Sequence, residues 1–293
     1  MLLALRVAAA QDIVREVRAA IAQGNFERGE ALVRNQPVTP ELAEAVSWLG
    51  RGALAAKQYD RADGYAVEAR KLALAQLAKR KLDAEAHLPL ALGASIEVQA
   101  FVMDARGERG EAVEFLRREL AAYRDTSIVT RIQKNIHLLS LEGKPAPALD
   151  VKSWLGPKPP PLSELRGKAV VLFFWAHWCS DCKRLIPDMA RLAAEYGPKG
   201  LALIGPTQHY GYVAGGVEAP AEQETGYIES IRRQYYAALE MPSPLSEANF
   251  VNYGSSSSPT LVFIDRKGIV RLFHPGSMTY AELATAADTI TRE

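Results

Sequence analysis

The run Val170 to Pro187, VVLFFWAHWCSDCKRLIP, constrains the fold more than any other stretch of the chain. It opens with apolar residues rich in β-branched and aromatic types, which suits a strand buried on both faces of a sheet. It then passes through Trp178, Cys179, Ser180, Asp181 and Cys182 into helical spacing at Lys183, Arg184, Leu185, Ile186, Met189 and Leu192. Two cysteines therefore sit where a strand hands over to a helix. The free N–H groups and the dipole at a helix start stabilise negative charge. A thiol at that point ionises more readily, and the thiolate is the nucleophile. Cys179, nearer the helix tip, is the expected attacking thiol. Cys182, about one helical turn later, can attack back and close a disulfide.

These are the only 2 cysteines in 293 residues. A disulfide scaffold is excluded, and so is an internal relay to a third thiol. If the pair does redox chemistry, its electrons come from and go to other molecules, an external donor or acceptor. No bound cofactor is called for. A metal site needs further ligands; His177 and His209 are available, but not at a matching spacing. With 48% hydrophobic and 24% charged residues the chain has a globular composition. A net charge of +1 gives no reason to expect nucleic acid or an anionic membrane as partner. No stretch approaches about 18 uninterrupted apolar residues, so no bilayer span is expected.

The sequence Phe174-Trp175-Ala176-His177-Trp178-Cys179-Ser180-Asp181-Cys182, with Pro187 eight positions after the first cysteine, resembles the thioredoxin superfamily. Within it the stretch resembles the TlpA/ResA-like thiol–disulfide oxidoreductases. The resemblance implies an α/β fold with a central mixed sheet flanked by helices, and a helix kinked at Pro187. It also implies a cis peptide bond before Pro259 in a loop that faces the cysteines. The backbone at Ser258 would pair with a substrate strand, as an added β-strand does. Trp178 would shield the sulfur and offer a flat contact surface, whereas Trp175 reads as plain core. The stretch Lys144 to Lys168 resembles the entry β-hairpin of that family.

The chain also departs from the family pattern. Asp181 stands where thioredoxins commonly carry proline, and a carboxylate so close to Cys179 opposes thiolate formation. Phe173 occupies the position of the buried acid of thioredoxin, and Leu185 that of a glutamate in ResA-like reductases. Two familiar proton acceptors are missing, which leaves water, Asp181, or a residue such as Glu222 or Glu224. A peroxiredoxin would have threonine three residues before its reactive cysteine; here Ala176 stands there.

Residues 11–143 have helical spacing throughout. Breaks at Gly24-Asn25, Lys57-Gln58 and Arg106-Gly107 precede similar phrases that begin at Phe26, Tyr59 and Gly107. The first two phrases lie 33 residues apart, close to the tetratricopeptide period of about 34. This half resembles a degenerate tetratricopeptide array. Its concave face suits a protein or peptide; the other reading is a helical cap that binds nothing. At 1–10, MLLALRVAAA reads either as the first turn of the first helix or as the tail of an export signal interrupted by Arg6.

Pro and Gly crowd the stretch 143–161 and mark a boundary. The expected domains are an all-α array of helical hairpins at 1–143 and a thioredoxin-like domain at 144–293. Strands are expected at 200–205 and in a hairpin through 261–265 and 269–273, with an insertion at about 206–252 that is helical over 222–239. The last helix is expected at 279–290, with Thr279 and Glu282 as a capping box. The expected function is exchange with a protein thiol or disulfide substrate, in a periplasmic or secreted setting that the resemblance favours. The alternatives are a scaffold whose thioredoxin-like module is redox-inert, and copper or zinc handling through Cys179, Cys182 and a histidine.

Overall fold

A computed structural model describes residues 13–292 of the chain; the run 1–10, read as a signal remnant or first turn, lies outside the described residues. The chain divides between Ile136 and His137 into two units, each with its own core.

The first unit is all helical among the described residues: α1 (13–22), α2 (Phe26–Val33), α3 (Pro40–Ala55), α4 (Tyr59–Leu77), α5 (His87–Ala105), α6 (Arg109–Ala122) and most of α7 (Val129–Ser140). The three helix breaks share one backbone solution. Gly24, Lys57 and Gly107 are left-handed, with φ of 69°, 57° and 86°. After each, the next N–H reaches back five residues: Asn25 to the Ala20 carbonyl at 2.9 Å, Gln58 to Ala53 at 2.8 Å, Glu108 to Met103 at 3.0 Å. This closure satisfies carbonyls that a helix end otherwise leaves unpaired.

Small side chains then let the helices approach closely. Ala62, Ala66, Ala69 and Ala73 bury one face of α4. Ala62 and Ala66 pack with Ala53, Val98 and Val102 in one cluster, and Ala69 with Leu42 and Val46 in another. At Gly50 an added Cβ would stand only 3.5 Å from the Ala66 backbone nitrogen. Helix α5 has the length and mean hydropathy of a membrane span, although Glu97 interrupts its apolar run. Its Leu88, Leu92, Ile96, Val98 and Val102 are buried within this unit, as a core helix requires.

Glu97 of α5 lies 3.2 Å from the Arg131 guanidinium and 2.8 Å from the Lys134 ammonium. Burial alone would raise its pKa, but the two cations win and hold it at about 2. A depressed carboxyl contributes stability above its unfolded value, and that stability is lost as pH falls through the folded value. The helical unit should therefore lose about 3 kcal/mol between pH 4.5 and pH 2 from this group. Glu97→Gln should remove that segment of the pH dependence, measured by denaturant titration followed by circular dichroism; an unchanged slope would refute the ion-pair account.

The second unit is built on a four-stranded sheet. Its strands are β2 (Ala169–Phe174), β3 (Leu201–Ile204), β5 (Thr260–Ile264) and β6 (Val270–Pro275), in the order β3-β2-β5-β6. β2 runs parallel to β3 and antiparallel to β5, and β5 and β6 form the expected hairpin. Period-two alternation splits β2 between two cores. Val171 and Phe173 face a layer that includes Leu185, Met189 and Leu192 of α8 (Ser180–Tyr196) and Leu283, Ala287 and Ile290 of α11 (Tyr280–Arg292). Val170, Leu172 and Phe174 face Phe250 and Tyr253 of α10 (Glu247–Tyr253). That two-sided cover is why the strand reads as an unbroken apolar run. Thr279 and Glu282 form the expected capping box at the start of α11: the Thr279 N–H donates to the Glu282 carboxylate at 2.7 Å, and the Glu282 N–H to the Thr279 hydroxyl at 3.4 Å.

The entry segment differs from expectation. Instead of a hairpin within 144–168, the two-residue β1 (Trp154–Leu155) pairs with β4 (Ser243–Pro244), which follows α9 (Ala221–Tyr235) in the insertion. Pro157, Pro159, Pro160 and Pro161 supply no N–H, so that half of the segment cannot serve as a second strand. The insertion is fastened further by the Gly205 and Thr207 N–H groups, which donate to the Pro242 and Pro244 carbonyls, each at 2.9 Å.

Candidate functional site

The active-site turn begins where β2 runs out. Past Phe174, the Trp175 N–H donates to the Pro206 carbonyl at 3.1 Å, and its indole N–H to the Gly205 carbonyl at 2.9 Å. Trp175 is fully buried and stacks on Tyr236 at 4.3 Å. It is a core residue that anchors the start of the turn. The Cys179 N–H then closes the turn on the Ala176 carbonyl at 3.0 Å.

Cys179 is the N-cap of α8. Its sulfur accepts the Cys182 N–H at 3.0 Å, in the role a serine or aspartate oxygen usually fills. The two cysteines are joined in a disulfide, with Cα atoms 5.3 Å apart. Cys179 is 3% exposed and Cys182 is wholly buried, so an incoming group meets Cys179 first. Trp178 beside it is 47% exposed. The Asp181 carboxylate is paired with Arg184 on the solvent side of the helix, so its charge is partly offset there. Lys183 lies over the Tyr235 ring at 4.7 Å.

The Ser258–Pro259 bond is cis. The loop is held by the Thr260 hydroxyl donating to the Ser257 carbonyl at 2.7 Å and by the Gly276 N–H donating to the Pro259 carbonyl at 2.8 Å. Pro259 is buried and Ser258 half-buried.

The positions of the missing proton acceptors are apolar in space as in sequence. Phe173 is fully buried beside Tyr236, with ring centres 6.3 Å apart, and Leu185 is buried in the same core. Of the two alternative carboxylates, Glu222 is exposed and Glu224 is fully buried. Glu224 does not stand alone: its Oε1 lies 3.3 Å from His177 Nε2. His209 is exposed, with Nε2 bonded to the Thr225 hydroxyl at 2.7 Å, so the two histidines considered as metal ligands have separate partners.

Sequence reasoning missed the tyrosines of the insertion. Tyr210 packs edge-to-face on Trp178 at 5.5 Å. Burial pushes its hydroxyl pKa upward, against the neighbouring Gln208 and Ser258 side chains. Its ring stands beside the Trp178 turn, on the side of the insertion. The one signal was the run Tyr210-Gly211-Tyr212, aromatic residues in the part of the insertion ahead of its expected helix.

A disulfide-bonded cysteine capping a helix after a central strand, with its partner sealed beneath and a cis-proline loop in the same unit, is the arrangement of a thioredoxin-like domain. Comparison with known proteins agrees. The AhpC/TSA family profile matches residues 143–273. The thioredoxin-like protein YneN of Bacillus subtilis is 30% identical over 148 residues, 50% of this chain and 79% of that one. The thiol-disulfide oxidoreductase ResA of Bacillus thuringiensis subsp. konkukian is 28% identical over 151 residues, 51% of this chain and 78% of that one. Protein DipZ of Mycobacterium bovis is 31% identical over 160 residues, 47% of this chain but only 23% of that longer protein. A solved thiol-disulfide isomerase from Corynebacterium glutamicum superposes on 52% of this chain and 97% of its own, at 18% identity and a TM-score of 0.43. The chain belongs to the thioredoxin-like family, among relatives that are thiol–disulfide oxidoreductases.

Because Trp175 is anchored in the core rather than at the surface, Trp175→Phe should cost about 2–3 kcal/mol of stability in urea titration. The alkylation rate of reduced Cys179 by iodoacetamide should stay within about twofold, read from the same preparation. A tenfold change in that rate would place Trp175 in the reactive site instead.

Proposed function

We propose that this chain exchanges its Cys179–Cys182 dithiol and disulfide with protein substrates through a mixed disulfide. The observation that carries the reading is the cap: the Cys179 sulfur sits on the first N–H groups of α8 and accepts one of them at 3.0 Å. A thiolate there is stabilised by the same donor and by the helix dipole.

In the reducing direction the Cys179 thiolate attacks one sulfur of a substrate disulfide. One S–S bond forms as another breaks, and the departing substrate thiolate takes a proton. Cys182 then loses its proton and attacks the Cys179 sulfur, releasing the second substrate thiolate. Two electrons and two protons pass from enzyme to substrate, and an external dithiol restores the enzyme. The same steps reversed oxidise a substrate dithiol, with an external disulfide as acceptor. The extended substrate would lie across Trp178 and pair with the Ser258 backbone beside Pro259. The helical array, residues 1–143, would hold the substrate or a protein that exchanges electrons with the domain at 144–293. The resemblance supports an extracytoplasmic setting, periplasmic or secreted.

Turnover of insulin in the presence of dithiothreitol tests this directly. Cys179→Ser should reduce the rate at least about a hundredfold, and Cys182→Ser should accumulate a mixed disulfide that a reductant reverses and mass spectrometry identifies. Equal rates for wild type and Cys179→Ser would leave the chain as a scaffold with an inert module.

A further inference from the structure

The buried charges behind the nucleophile suggest a second element of the site, and this inference rests on the exchange reading. Glu224 is 0% exposed and His177 1%. Glu224 rises from the first turn of α9, and its two oxygens have separate tasks. Oε1 accepts the Tyr210 N–H at 2.6 Å and Oε2 the Gly211 N–H at 2.9 Å. An amide could not accept at both positions, because one of them would be an NH2 donor. The carboxylate thus pins the loop that carries Tyr210.

His177 comes from the opposite side, two residues before Cys179. Its Nε2 is 3.3 Å from Glu224 Oε1, an ion-pair contact that falls short of an aligned hydrogen bond. The rings of Tyr210, Tyr212 and Tyr227 stand nearly perpendicular to the imidazole, at 5.5, 5.3 and 5.2 Å. The groups against His177 are therefore Glu224 and Tyr227 from α9 and Tyr210 and Tyr212 from the loop, with the Lys183 ammonium of α8 acting on it through its charge. Nothing in this box other than the carboxylate favours a positive imidazole.

We propose that His177, held by Glu224, is the positioning and proton-coupling residue of the redox turn: it takes up a proton when Cys179 becomes a thiolate and gives it up when the disulfide closes. Cys179 follows His177 by two residues, and its sulfur changes charge during exchange, negative as the thiolate and neutral in the disulfide. In the reduced protein the proton lost by the thiol is matched by one on the imidazole, so the two-residue segment keeps its net charge; no electron moves in that step. The same contact ties the turn to the Tyr210 loop, so the position of the Trp178–Tyr210 wall and the charge at Cys179 are set by one pair. Burial pulls the imidazole below its ordinary pKa, Glu224 pulls it back up, and Lys183 opposes. One further negative charge nearby would add to the pull of Glu224.

The test is an NMR titration of the His177 imidazole in the full chain, assigned through the backbone of 176–178 and run on both the disulfide and the dithiol forms. The midpoint should lie about 0.5–1 pH unit higher in the dithiol form, because a thiolate favours the charged ring. Glu224→Gln should lower the midpoint in both forms. His177→Gln should slow alkylation of reduced Cys179 by iodoacetamide below pH 6 at least threefold. The wild-type comparison needs no variant to fold: identical midpoints in the two redox forms overturn the proposal, and so does a His177→Gln alkylation profile that superimposes on wild type. If insulin turnover is absent while the midpoint still moves, the exchange reading fails and the coupling stands.

Discussion

The redox half of the molecule depends on a sulfur doing the work of a helix cap. An N-terminal turn needs an acceptor for its free donors, and the side chain in that place is Cys179, bonded to the Cys182 N–H. One contact therefore starts α8, orients the Cys179 sulfur and sets its spacing to Cys182. The rest of the unit supports that contact. β2, covered on both faces, delivers the chain to the turn; Trp175 nails the turn's first residue to Gly205 and Pro206; the apolar stripe of α8 fixes the helix behind it. A serine could cap the helix as well or better, but it could not form the S–S bond, so cap strength and chemistry are joined in one residue.

The parts legible from sequence were those governed by local rules. The apolar run, the two cysteines and the helical spacing fall within one stretch, so periodicity and chemistry could be read together. The capping box at Thr279 and Glu282 was legible for the same reason, since its partners are three residues apart. The helix breaks at Gly24, Lys57 and Gly107 announced themselves by composition, although a lysine in the left-handed position was visible only in the backbone.

What escaped was decided at a distance. β1 reads as half of a local hairpin, yet its partner lies some 90 residues on, because the neighbouring prolines leave it none nearby. Glu224 was one of several candidate proton acceptors, beside Asp181 and Glu222; its burial was not legible, because it follows from two N–H groups and an imidazole that come from other segments. Tyr210 lay in a stretch with loop composition, and only its contact with Trp178 gives it a place in the site. Helix α5 shows the converse: its hydropathy alone fits a bilayer, and the company of α3 and α4 decides against it.

The β1–β4 ribbon has a consequence for how this molecule meets copies of itself. A strand margin with open donors invites further strands, and chains that survive at high concentration blunt such margins. Here the ribbon is two residues long, and the side of β4 away from β1 is already taken by the Gly205 and Thr207 N–H groups, which bond the Pro242 and Pro244 carbonyls. The insertion can thus reach across to grip the entry segment without creating a template on which neighbouring molecules could stack.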